Sequence, residues 1–188
     1  MDFFSLNWLL FSIAILLVIN VINGFKKGFV KELINCISLA VLSLLIVLLS
    51  AVLKDYTTRQ FVQMIMVIIM ILALILAFKL IKMALDGVKV LASLPVISGV
   101  NKLLGGIFGV AETLVVVWFA FCLIGMFDLG VVNEYIYTYI HNSEILAYLY
   151  EHNMIAILGE KIMGPEFQLK AMDVILNQGL ELTESLLK

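Results

Sequence analysis

The chain has 188 residues, 63% of them hydrophobic and only 14% charged, with a formal net charge of −2. Soluble domains run nearer half and a quarter, so this composition excludes an ordinary water-soluble protein. The small net charge averages two unlike regions: nine basic and five acidic residues precede Asp128, while three basic and nine acidic residues follow from it. The second region offers no basic surface to a nucleic acid.

Four apolar runs cover residues 3–22, 33–53, 61–78 and 103–127. Each holds about 18 to 25 residues, and a helix of roughly 20 crosses a bilayer core. The pattern predicts an all-α integral membrane protein: a four-helix membrane domain over residues 1–127 and an acidic helical tail over 128–188.

The first run lacks a basic leading segment and ends in Asn20-Val21-Ile22-Asn23-Gly24 rather than a small-x-small site, so it is expected to stay as a membrane helix. Ser5, Ser12, Asn20 and Asn23 fall within an arc of about 80° on it, a single polar stripe. The second run carries a similar stripe of Glu32, Cys36, Ser43 and Ser50 within about 40°. Glu32 is expected to complement the positive end of its own helix, with a pathway carboxylate as the alternative. The third run is wholly apolar between Gln63 and Lys79 and reads as a peripheral, lipid-facing helix.

Beyond it, Lys79, Lys82, Asp86 and Lys89 form a narrow polar stripe on an otherwise apolar segment. This predicts an interfacial amphipathic helix between the third and fourth spans, or else a long third helix leaving the membrane obliquely. Pro95 ends the segment in either case.

The fourth run places Gly105, Gly109 and Glu112 within about 60° of one another. The Gly105/Gly109 spacing allows close helix approach, and membrane helices are held by such small residues and by hydrogen bonds. The first, second and fourth helices are therefore expected to turn their polar or small faces together. Glu112 lies about 13 Å along the helix from Leu103, inside the hydrocarbon, and must be protonated, paired or facing water. Asn20, Asn23 and Lys31 are its candidate partners. Two readings stand for Glu112: a structural hydrogen bond across helices, or a functional carboxyl on a polar path.

Past the fourth run, Tyr135, Tyr137, Tyr139, Tyr148 and Tyr150 suit a membrane interface. Asn142-Ser143-Glu144 can cap a helix from Glu144 to Glu151. Gly164-Pro165 breaks the chain, and a last amphipathic helix is expected from about Glu166 to Leu187. The tail should pack on the bundle or bind a partner.

Seven lysines flank the connections after the first and third runs, against one lysine and one arginine at the opposite side near the membrane. Positive charge stays cytoplasmic, so both termini are expected outside. His141 and His152 would sit some 16 Å apart on one helix, too far for one metal. Phosphate-loop, HExxH and Gly-x-Ser-x-Gly motifs are absent from the sequence. No enzyme activity, metal or cofactor is expected. Cys36 and Cys122 belong to opposite membrane depths and are not expected to form a disulfide.

Two segments carry a family resemblance: Gly24-Phe25-Lys26-Lys27-Gly28-Phe29-Val30-Lys31-Glu32-Leu33, and Leu94-Pro95-Val96-Ile97-Ser98-Gly99-Val100-Asn101-Lys102-Leu103 running into Gly105 and Gly109. With four membrane helices and a tail, the chain resembles the colicin V production protein (CvpA) family of bacterial inner-membrane proteins. Gly24, Gly28, Phe29, Glu32, Pro95, Gly105 and Gly109 are the motif residues, and Gly24 and Gly28 are expected to flank a tight cytoplasmic turn. The resemblance implies a plasma-membrane protein of peptide-toxin production or secretion and envelope homeostasis, and it carries over no catalytic residues. Two expectations follow: a non-enzymatic scaffold with envelope or secretion partners at its tail, or a small homo-oligomeric channel or transporter subunit with a polar path past Glu112.

Overall fold

The computed structural model describes residues 7–56, 58–86, 98–164 and 167. Runs of Leu, Ile, Val and Met propagate as helix wherever no proline interrupts them, and both prolines of the chain fall outside the apolar runs. Four helices result that are long and apolar enough to cross a membrane: α1 (Trp8–Lys27), α2 (Phe29–Leu53), α3 (Gln60–Asp86) and α4 (Ser98–Met126). Three short helices follow: α5 (Val131–His141), α6 (Glu144–Glu151) and α7 (Met154–Met163).

Several boundaries differ from the apolar runs, each for a local reason. Helix α1 starts where the Asn7 side chain accepts from the Leu10 N–H at 3.0 Å. It continues past Asn23-Gly24 to Lys27, because lysines in a last turn favour the negative helix end. The turn into α2 is made at Gly28 alone, in the left-handed region at φ +82°. Gly24, expected to flank that turn, is instead a buried helical residue. Helix α3 runs unbroken through Lys79 and Lys82 to Asp86, so this part of the expected interfacial helix is a continuation of α3. Lys89 and Pro95 lie outside the described residues, as do Ser5 and nearly all of the expected last helix.

Helix α4 is the centre of the bundle. It packs along α1 on one side and α2 on the other, while α1 and α2 touch each other little. Helix α3 packs mainly on α2, where Met70 meets Ser50, and Gln63, Val67, Met70 and Leu74 are its buried residues at helical spacing. The rest of α3 (Ile68, Ile69, Leu72, Leu76 and Leu80) is exposed, a surface that only a bilayer makes tolerable. The polar stripe of α2 divides: Glu32 at its start pairs with Lys27 of α1, whereas Ser50 at its far end meets α3. Ser43 is buried in the core, and Ser50 donates to the Ile46 carbonyl at 2.7 Å beside the Met70 sulfur. Ser12 of α1 is exposed and bonds its own helix at Trp8. The two cysteines are free.

Helices α5 to α7 fold back on the bundle. The Trp118 indole of α4 donates to the Leu149 carbonyl at 3.0 Å, and the Asn153 amide donates to the Trp118 carbonyl at 2.9 Å. Asn153 also caps α7, accepting from Ile155 and Ala156. Burial pushes the Tyr137 phenol up to about 12, so it stays protonated and donates to the Ile124 carbonyl. Trp118 lies eight residues before the end of α4, about 12 Å along the helix. The short helices thus reach beside the span rather than standing clear of it.

Candidate functional site

Helices α1 and α4 approach closely enough for backbone to touch backbone. A Cβ placed on Gly24 would stand 2.8 Å from the Gly105 carbonyl carbon and closer still to its oxygen. One on Gly109 would stand 2.8 Å from the Asn20 carbonyl carbon. Ordinary side chains cannot occupy such positions, which gives Gly105 and Gly109 a packing reason. At the end of this crossing, Asn101 of α4 reaches the turn. Its Oδ1 accepts the Phe29 N–H at 2.7 Å, and its amide fills the space beside Gly28. The Phe29 ring packs 5.4 Å from that of Phe108.

This crossing brings a carboxyl pair together. Glu32, in the first turn of α2, is fully buried at 0% exposure. Lys27, 28% exposed, donates to both of its oxygens at 3.1 and 2.9 Å, and the Asn35 amide adds a third bond at 3.2 Å. Glu112 of α4 is 8% exposed and faces the Glu32 carboxyl. Its Oε2 has no hydrogen-bond partner among the described residues. The cations that act on it are Lys27, already engaged by Glu32, and Lys82 of α3. Beside the pair, the Asn20 amide of α1 donates to Thr113 Oγ1 at 3.1 Å, and Thr113 donates to the Gly109 carbonyl.

The three expected partners of Glu112 lie differently with respect to it. Lys31 is exposed and Asn23 half-buried, and among the described residues neither bonds Glu112. Asn20 does line the same cavity as Glu112. Lys27, Asn35, Asn101 and Thr113 were not singled out as site residues by sequence reasoning. Asn35 follows Glu32 by three residues, the same-face spacing of a helix, so its part was readable.

Glu112 and Asn20 open into an elongated cavity of about 570 Å³. Its floor is α4, its sides are α1 and α3, and Leu39 of α2 closes the back. Apolar side chains such as Leu16, Val67, Phe78 and Leu123 line most of it, and Lys79 and Lys82 stand at its polar end. Helices α1 and α3 make at most glancing contact across it. The cavity is thus a lateral groove rather than a passage between the helices. Among the described residues, no group of three His, Cys, Asp or Glu could hold a metal ion.

Four apolar spanning helices around a buried carboxyl pair define a multi-pass α-helical membrane protein. The family model described as Colicin V production protein matches residues 11–154, and the chain belongs to that family. No curated protein and no solved structure matches the chain.

Proposed function

We propose that this chain is a non-enzymatic accessory protein of peptide-toxin production and export in the bacterial plasma membrane, holding partner proteins at its tail helices. In this reading both termini face outward and the lysine-rich Gly28 end faces the cytoplasm, in keeping with the distribution of positive charge. One observation carries it. Helices α6 and α7 are fastened to α4 by the Trp118 and Asn153 bonds, yet they turn Ile145, Tyr148, Met154, Ile157 and Ile162 outward. An apolar face held rigidly on a bundle suits a partner helix at the membrane surface. The polar residues of α1 and α2 do not converge on one path, and the backbone contacts at Gly105 and Gly109 leave no room between α1 and α4. Both facts favour a scaffold over a conducting pore.

The test is export from a toxin-producing strain that carries the full chain with Tyr148→Ser and Ile157→Ser. Secreted toxin should fall while intracellular toxin and the level of the chain are unchanged. Unchanged export, or ion flux into proteoliposomes that Glu112→Gln abolishes, would overturn the reading in favour of transport.

A further inference from the structure

Two acids and one cation meet where α1, α2 and α4 come together, and their charges do not balance. Glu32 is fully buried and accepts three bonds, two from Lys27 and one from Asn35. These donors hold negative charge on Glu32, and the Lys27 ammonium cancels it. Glu112 is 8% exposed and turned onto the Glu32 carboxyl, with no donor for its Oε2 among the described residues. A carboxylate there would be a second buried negative charge set against the first. Two like charges in contact and out of water do not both persist.

The other groups near Glu112 leave that imbalance standing. On α2, Cys36 lies one turn past Glu32 and close to both acids, but a thiol is a weak donor. On α1, the Asn20 amide is turned to Thr113. On α3, Lys82 lines the cavity beside Glu112, yet it is exposed and among the described residues bonds neither acid. An ionised carboxyl only accepts, so two carboxyls meet in a hydrogen bond when one of them carries a hydrogen.

We infer that the Glu32/Glu112 pair is a proton-binding site: Glu112 carries one proton at neutral pH and donates it in an O–H bond to Glu32, tying α4 to α2 at the Gly28 end. Lys27 and Glu32 then cancel, and Glu112 is neutral. Lys27, 28% exposed, joins the pair to the surface, so the proton exchanges with water on that side. Its loss leaves two carboxylates against one ammonium, and their repulsion parts α2 from α4. The contact is thus a pH-sensitive seam. It stands on the carboxyl geometry and is independent of the export reading.

Infrared spectra of the full chain in an ester-free detergent test the site directly. At neutral pH the exposed acids of the tail are ionised, so the carbonyl band of a protonated carboxyl should report the pair, and should bleach as the pH is raised. Glu112→Gln should remove the band. Glu32→Gln should remove it too, because Lys27 is released to hold Glu112 as a carboxylate. A band that survives Glu32→Gln would overturn the shared proton and leave burial of Glu112 alone as its cause. Absence of the band from the unaltered chain, which needs no variant to fold, would overturn the site altogether, and is the result expected if Lys82 swings onto Glu112. Denaturant unfolding gives the second readout. The folded chain keeps a proton that the unfolded chain releases above about pH 4.3, so rising pH should favour unfolding. The folding constant of the unaltered chain should fall relative to that of Glu112→Gln by about tenfold per pH unit until the pair ionises. A ratio that does not change with pH would overturn the inference.

Discussion

Gly105→Ala tests the packing on which the buried site depends. The added Cβ would stand 3.0 Å from the carbonyl carbons of both Gly24 and Gly28, and nearer to the Gly24 oxygen. Ordinary contact begins at 3.4 Å, so relieving the clash with the Gly24 oxygen moves α1 away from α4 by about 1 Å. Neither obstacle is a side chain that can rotate aside. Overpacking of this kind costs about 1–3 kcal/mol. Alanine recovers about 0.5–1 kcal/mol of helix propensity, leaving a net loss of about 1–2 kcal/mol. For a chain of this size that lowers the melting midpoint by about 2–8 °C. The assay is thermal unfolding in nanodiscs followed by tryptophan fluorescence, with Gly99→Ala as the control because a Cβ there meets nothing within 4 Å. The control should melt at or slightly above the parent. Gly24→Ala combined with Gly105→Ala should cost less than the two separately, since the first opens the crossing for the second. A Gly105→Ala protein that melts at or above the parent would refute the reasoning.

Four further substitutions have expected outcomes. Gly28→Ala forces an L-residue to φ +82° against Asn101 and should cost about 1–2 kcal/mol, while Asn101→Ala orphans the Phe29 N–H for about 1–3 kcal/mol; both are read as loss of folded protein on heating. Lys27→Met leaves Glu32 buried without its cation, and because Lys27 is 28% exposed the loss should stay nearer 1–2 than the roughly 3–5 kcal/mol of a fully buried pair. Adding Glu32→Gln to Lys27→Met should restore part of that stability, and failure to do so would mean that the ion pair does not hold the turn. Asn153→Ala removes both the α7 cap and the bond to Trp118, at about 1–2 kcal/mol, and limited proteolysis should then cut first between α6 and α7.

Composition and run length alone determined that this chain is a bundle of membrane helices, because no arrangement in water could cover so much apolar surface. The Gly105/Gly109 spacing marked the close helix face, and the α6 boundaries were legible from Ser143 as a cap. Tertiary structure decided the rest. Whether Gly24 is a turn or a helix contact depended on Gly105, some eighty residues away in sequence, standing against it. The stripe on α2 looked ready to meet that of α1, yet α4 came between them and Ser50 turned to Met70 of α3. Lys27 rather than Lys31 reaches the acid pair because Gly28 reverses the chain and points Lys27 back at Glu32. Helical periodicity reports which residues share a face, whereas the partner of that face is set by how four apolar cylinders pack, and a run of Leu, Ile and Val fits many neighbours equally well.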